Sequence, residues 1–200
     1  MSKKYYSQVG QDKWVEDFFG SDKRGYFLDI GAYDGIKLSN TYYLERELGW
    51  TGICVEADPV VFKILESNRR CVTLNTAISD REGMVDFSPS GLTGRIKEGG
   101  GTKINSTTLR KLLQDLECPK TIDYISLDIE GFESIALEKF PFESHEFVLM
   151  TVEHNLYLGS DSNKKRIKEI LLDNQYSLYK ENVEDDGYQF EDWYINKKFI

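Results

Sequence analysis

The chain has 200 residues, enough for one domain with a full core, and its 40% hydrophobic and 13% aromatic content belongs to a globular fold. A net charge of −9, with no lysine or arginine stripe, disfavours nucleic acid as the main partner and leaves a small molecule or a glycan as the expected one. No apolar run reaches spanning length and residues 1–20 lack the apolar core of a secretion signal, so no membrane insertion and a cytoplasmic setting are expected.

In chain order, residues 1–25 read as an N-terminal helical segment, because Trp14, Val15, Phe18 and Phe19 fall at helical spacing within 11–19 before Gly20 and Gly25. Strand one spans 26–30. Its apolar run carries Asp29 and is followed by Gly31, Asp34 and Gly35. Buried strands of open α/β sheets end this way where the next turn takes a ligand against bare backbone. The spacing Asp-x-Gly-x-x-x-Gly differs from the Gly-x-Gly-x-x-Gly of nicotinamide and flavin sites. It favours a ligand with a cationic amino-acid tail over one with a pyrophosphate.

Ser39 and Asn40 open a helix over 40–48, and the turn 49–52 leads into strand two, 53–56. Pro59 starts a helix over 59–69 with Val61, Ile64 and Leu65 on one face. Strand three covers 72–78 and ends at Ser79-Asp80. A short strand at 84–88 precedes a glycine-rich loop over 88–104, long enough to be functional or mobile. Leucines 109, 112, 113 and 116 mark a helix over 107–117. Strand four covers 124–129, with a short helix near 131–139. Strand five covers 147–152 and runs into Glu153-His154. A helix over 163–174 leads to strands 176–182 and 188–196, whose short connection makes them antiparallel. Cys54, Cys71 and Cys118 are odd in number and lack paired C-x-x-C spacing, which speaks against structural zinc or a disulfide framework.

This alternation predicts a single Rossmann-like α/β domain over 1–200. Its seven-stranded sheet is mostly parallel, with an antiparallel C-terminal hairpin strand and helices on both faces. Ligands in such sheets bind outside the carboxyl ends of the strands, where Asp29, Glu56, Asp80, Asp128 and Glu153 collect. Glu56 is suited to accept from ribose hydroxyls and Asp80 from an adenine amino group, while Asp29 or Asp128 is suited to hold an ammonium group. An adenosine at one end and an amino acid at the other describe S-adenosylmethionine, whose sulfonium suits acidic strand ends.

The chain here resembles the FkbM-type methyltransferases of the class I S-adenosylmethionine-dependent fold. The motifs are Ser7-Gln8-Val9-Gly10-Gln11-Asp12, Asp29-Ile30-Gly31-Ala32-Tyr33-Asp34-Gly35 and Ser39-Asn40-Thr41. Gly49-Trp50-Thr51-Gly52 with Val55-Glu56-Ala57-Asp58-Pro59 follows, then Asp128-Ile129-Glu130-Gly131-Phe132-Glu133 and Val152-Glu153-His154. The resemblance implies methyl transfer, commonly to a hydroxyl on a sugar or glycosylated product, with Gln8 and Gln11 folding over the cofactor. It also implies that Ser39, Asn40, Thr41 and Asp58 join the cofactor set.

A sugar hydroxyl needs a base nearby, and the candidates are Asp128, Glu130, Glu153 and His154. Magnesium between Asp128, Glu153 and His154 or Asn155 is a possible but unfavoured addition, because magnesium prefers oxygen ligands. The loop 88–104 and Tyr5 and Tyr6 are the expected acceptor contacts, His145 reads as surface, and Glu133 and Glu138 read as solvated. The competing readings are a lipid, small-metabolite or peptide acceptor, or a non-catalytic cofactor-binding part of a larger glycan-building protein.

Overall fold

Strict alternation of apolar residues sets the two faces of the main sheet. In the computed structural model, which describes residues 3–97, 99–156 and 159–200, Phe27, Cys54 and Tyr124 join one apolar cluster and their neighbours Leu28, Ile53 and Ile125 the other. Residues 1 and 2 of the expected N-terminal segment and Glu98 of the expected loop lie outside the described residues.

The elements run α1 (Gln11–Phe19), β1 (Tyr26–Ile30), α2 (Tyr42–Arg46), β2 (Thr51–Glu56), α3 (Pro59–Asn68), β3 (Val72–Asn75) and β4 (Ala77–Ile78). Next come β5 (Gly83–Ser88), β6 (Arg95–Ile96), β7 (Thr102–Thr107), α4 (Leu109–Asp115), β8 (Thr121–Leu127) and α5 (Glu133–Glu138). The chain closes with β9 (Glu146–Glu153), α6 (Ser162–Asp173), β10 (Tyr176–Asp185) and β11 (Tyr188–Asn196). The main sheet has the order β10-β11-β9-β8-β1-β2-β3. Strands β3, β2, β1, β8 and β9 are parallel, while β11 runs antiparallel to both β9 and β10.

Helices α1, α2 and α3 pack on one face through Trp14, Val15, Tyr43, Leu44 and Leu65. Helices α4, α5 and α6 cover the other through Leu109, Leu112, Leu113, Ala136, Leu137, Ile167 and Leu171. Each wholly buried leucine here contributes about 2 kcal/mol by leaving water. Asp58 caps α3, accepting from the Val60 N–H at 2.8 Å, and Pro59 fits the first turn because its missing N–H needs no partner.

Two expectations change. Strand three divides after Asn75: Val72–Asn75 pairs with β2, while Ala77–Ile78 leaves to pair with β7 in a second, four-stranded sheet of order β4-β7-β5-β6. The stretch 88–104 is therefore not one long loop but part of that sheet. Alternation of Val85, Phe87 and Ile104 buries an apolar side with Ala77 and Ile96. Gly101 allows the approach, since a β-carbon there would meet the Phe87 carbonyl oxygen at 2.6 Å.

From β1 the chain moves outward through β2 to β3, and later returns to place β8 on the other side of β1. Strand order thus reverses between β1 and β8, which opens a crevice at their carboxyl ends.

Candidate active site

Two clefts meet at that crevice. One runs over the end of β2 and beneath the second sheet, lined by Val55, Glu56, Ala77, Phe87, Leu92 and Ile96. The other runs towards the N-terminal segment and β11, lined by Gln8, Gln11, Asp29, Ser39, Asn40, Glu153 and Glu191. Gly31, Tyr33, Leu92, Asp128 and Glu130 belong to both.

Glu56 ends β2 with both oxygens engaged, Oε2 by the Tyr33 N–H at 2.9 Å and Oε1 by the Asp58 N–H at 2.7 Å. Burial still pushes its carboxyl up to about 7. Across the junction, Asp128 and Glu153 bring carboxylate oxygens within 4.8 Å of each other. Burial raises both, and the neighbouring Asp128 charge holds Glu153 further above the usual carboxylate range. Glu130, where the clefts join, is pushed up to about 7 by burial and by Asp128, and it accepts from Asn155 Nδ2 at 3.2 Å. Glu130 (φ 55) and Asn155 (φ 52) both hold left-handed backbone, a strain that persists mostly where function requires it.

Asp29 is buried and accepts from the Thr41 hydroxyl. Its carboxyl is raised by burial, against the pull of the Arg69 guanidinium 3.7 Å away. Asn40 reaches Ser126 Oγ at 2.9 Å, and Ser39 Oγ accepts from the Tyr42 N–H at 3.1 Å. Gln11 Nε2 donates to Glu191 Oε1 at 3.0 Å and Gln8 Nε2 to Asp185 Oδ2 at 2.7 Å, so the N-terminal segment ties to β10 and β11 at the rim. Asp128 Oδ1, Asn40 Oδ1, Asn155 Oδ1 and His154 Nε2 are buried with no hydrogen-bond partner among the described residues. The three oxygens are acceptors.

Several expected residues lie elsewhere. Asp80 lies two residues beyond β4 of the second sheet, is about half exposed, and lines a separate cleft with Arg81 and Lys103, because strand three divides before it. Gly35 and Asp58 line neither cleft: a β-carbon on Gly35 would strike Leu65 at 2.6 Å, and Asp58 is spent on the α3 cap. Thr41 supports Asp29 from behind. Gly31 does not offer a free N–H, since it donates to the Val55 carbonyl at 3.0 Å. His154 is turned inward, its Nε2 at 3.3 Å from Asp192 Oδ1 and its Nδ1 accepting from the Leu156 N–H at 3.3 Å. Tyr5 and Tyr6 pack against Tyr43 and Tyr42 as structural contacts.

A family model described as the methyltransferase FkbM domain matches residues 29–178. The chain belongs to the FkbM methyltransferase family. Its fold is similar to that of the methyltransferase FkbM from Methylobacillus flagellatus, with 15% identity and a TM-score of 0.60, over 86% of this chain and 43% of that one. The chain thus spans less than half the length of that relative. It is also similar to an O-methyltransferase from Bacillus cereus in complex with S-adenosylhomocysteine, with 14% identity and a TM-score of 0.60 over 98% of this chain and 84% of that one. TrmK of M. capricolum, in complex with S-adenosylhomocysteine, gives 13% and 0.55, over 96% and 70%. No curated protein matches the chain.

In this FkbM-family chain, the sequence reading missed two acids. Glu133, expected to be solvated, is wholly buried: it accepts from the Ile129 and Gly131 N–H groups and from Asn163 Nδ2, which closes the turn after β8. Glu191 is buried and pushed up to about 8 by burial. The signal was an acidic pair, Glu191-Asp192, set between Phe190 and the run Trp193-Tyr194-Ile195. Asp128, Glu133 and Glu153 bring carboxylate oxygens within 4.8 Å of one another, yet the bonds to Glu133 occupy both its oxygens. That donor set fits magnesium poorly, and the inward turn of His154 removes the histidine from it. No helix among the described residues is long and apolar enough to cross a membrane.

Proposed function

We propose that this FkbM-family chain binds S-adenosylmethionine across the two clefts and transfers its methyl group to an acceptor hydroxyl, on a sugar or glycan. The observation that carries the cofactor reading is the buried Asp128 Oδ1, an acceptor without a partner at the junction of the clefts. It calls for a ligand that brings donors and positive charge. Glu56 beside the Phe87 and Ile96 wall suits a ribose with an apolar base beyond it. Asp29, Asn40 and Asp128 suit the amino-acid end.

When bound, S-adenosylmethionine supplies a methyl carbon already activated by a sulfonium. The chain's share is alignment and proton removal. Bound there, the cofactor would present that carbon to the acceptor oxygen, and a carboxylate of the chain would take the hydroxyl proton. Glu130, held at about 7, is the group poised for it, with Glu153 beside Asp128 the second candidate. His154 braces the hairpin through Asp192. We place the reaction in the cytoplasm, in keeping with cysteines that form no disulfide framework.

Calorimetric titration with S-adenosylmethionine and S-adenosylhomocysteine tests this on wild type and Glu56→Ala. Binding weakened about tenfold or more by the substitution is expected, from the ~1–3 kcal/mol cost of leaving hydrogen-bond partners unmade. A folded wild-type protein that binds neither ligand would sink the reading.

A further inference from the structure

Gln8, Glu153 and Phe190 each line two clefts at once, the one described above towards β11 and another against the β10–β11 hairpin. The outer cleft adds Asp185, Asp186 and Tyr188. Its described walls carry three carboxylates, one amide and two aromatic rings, with no lysine or arginine. Behind Glu153, the 4% exposed Asn155 donates to Glu153 Oε2 at 3.1 Å while its own Oδ1 has no partner among the described residues.

The hairpin presents these groups in a fixed arrangement. Asp186 (φ 48) and Gly187 (φ 81) form a two-residue turn with both residues left-handed, the tight connection that matches strand twist. Asp185 and Tyr188 are therefore direct cross-strand partners, with side chains on one face of the ribbon. Gln8 ties the N-terminal segment to the same point through Asp185. A ring beside a carboxylate suits a sugar, which packs its C–H face on the aromatic and donates its hydroxyls to the oxygens.

Resting on the methyl-transfer reading, we infer that this outer cleft is the acceptor subsite and that it selects a polyhydroxylated acceptor free of phosphate and carboxylate, an uncharged or amine-bearing sugar. Continuity supports the location. An acceptor must reach the methyl carbon from a space the cofactor does not fill, and Glu153 stands at the seam between the two spaces. Charge supports the selectivity. An anionic acceptor would meet Asp185 and Asp186 with no cation on the described walls to offset them.

The test uses hexose and deoxyhexose glycosides in neutral, 2-amino, 6-phosphate and uronic acid forms. Labelled-methyl transfer and saturation-transfer NMR are read on wild type and D185N/D186N, whose Asn-Gly tip keeps a favourable turn. S-adenosylmethionine affinity is measured first on both. Transfer confined to neutral or amine-bearing forms is expected, with KM raised about tenfold or more in the variant while cofactor affinity and melting temperature hold. Preference for the phosphate or uronic acid forms, or an unchanged KM in D185N/D186N, would overturn the inference alone. So would cofactor binding with neither transfer to nor contact with any sugar form. Wild-type protein that fails to bind the cofactor overturns both readings.

Discussion

A β-carbon at Gly31 would lie 1.7 Å from the carbonyl oxygen of Asp128. The two residues sit at the carboxyl ends of β1 and β8, so the switch point closes only because position 31 has no side chain. Gly31 also adopts a φ of +87, which costs other residues about 1 kcal/mol or more. Gly31→Ala is therefore expected to push the strand ends apart and to lose roughly 2 kcal/mol or more of stability. Thermal unfolding should show a fall of several degrees, and cofactor titration a loss of affinity larger than that fall explains. An alanine variant with wild-type melting and binding would contradict the close packing.

Arg69 is the second dependency. Its guanidinium is wholly buried, 2.8 Å from Glu45 and 3.7 Å from Asp29, and it donates to Thr41 Oγ1 at 3.0 Å and to the Gly35 carbonyl at 3.3 Å. Removing it strands two buried carboxylates. Arg69→Met is expected to cost ~3–5 kcal/mol, visible as a lower denaturant midpoint. Arg69→Lys should recover little, because a point charge cannot serve that many acceptors.

These dependencies separate what the sequence makes legible from what it does not. The bounds of α1 and β1 follow from spacing within a dozen residues, and the parallel sheet follows from the alternation of strands with helices. Asp29, Glu56, Asp128 and Glu153 reach the clefts because strand ends in such sheets point there. The errors sit where a local pattern is overridden by distant partners. Residues 72–78 look like one strand, yet the chain changes sheets after Asn75 because β7, nearly thirty residues on, offers Ala77 a partner. That departure carries Asp80 away from the site. His154 carries no sequence sign that Asp192 waits beside it, and Arg69 has no motif. Glu133 looks solvated until the backbone N–H groups after β8 turn back onto it.

The inward turn of His154 separates its role from that of Glu153. His154→Gln is expected to lower stability by ~1–3 kcal/mol through the loss of the hydrogen bond that its Nδ1 accepts from the Leu156 N–H and of its buried packing beside Asp192, while kcat stays within a few fold of wild type. Glu153→Gln keeps the shape but cannot take a proton, so its kcat should fall about 10²- to 10⁴-fold with cofactor affinity largely kept. Labelled-methyl turnover alongside melting curves reads both. Loss of turnover in His154→Gln without loss of stability would return the histidine to the reaction.

Proton linkage gives the last prediction. Burial first, and neighbouring acids second, push Glu56, Glu130 and Glu133 up to about 7 and Glu191 to about 8, from an ordinary value of 4.5. Between 4.5 and these values the folded state holds protons that the unfolded state has released. The stabilisation from these groups is thus fully present below 4.5 and is lost as pH rises through 7 to 8. Groups shifted the other way, such as Glu16 at about 2 and the lowered Glu45 and Asp192, change stability only at more acid pH. The melting temperature should therefore decline from pH 5 to pH 8. A cationic ligand among the same carboxyls favours their ionised forms, so its binding should expel protons and its affinity should rise over that window. Calorimetry in two buffers of different ionisation heat measures the protons released per ligand bound. Proton uptake on binding, or affinity flat from pH 6 to pH 8, would mean that these acids do not face the ligand's charge.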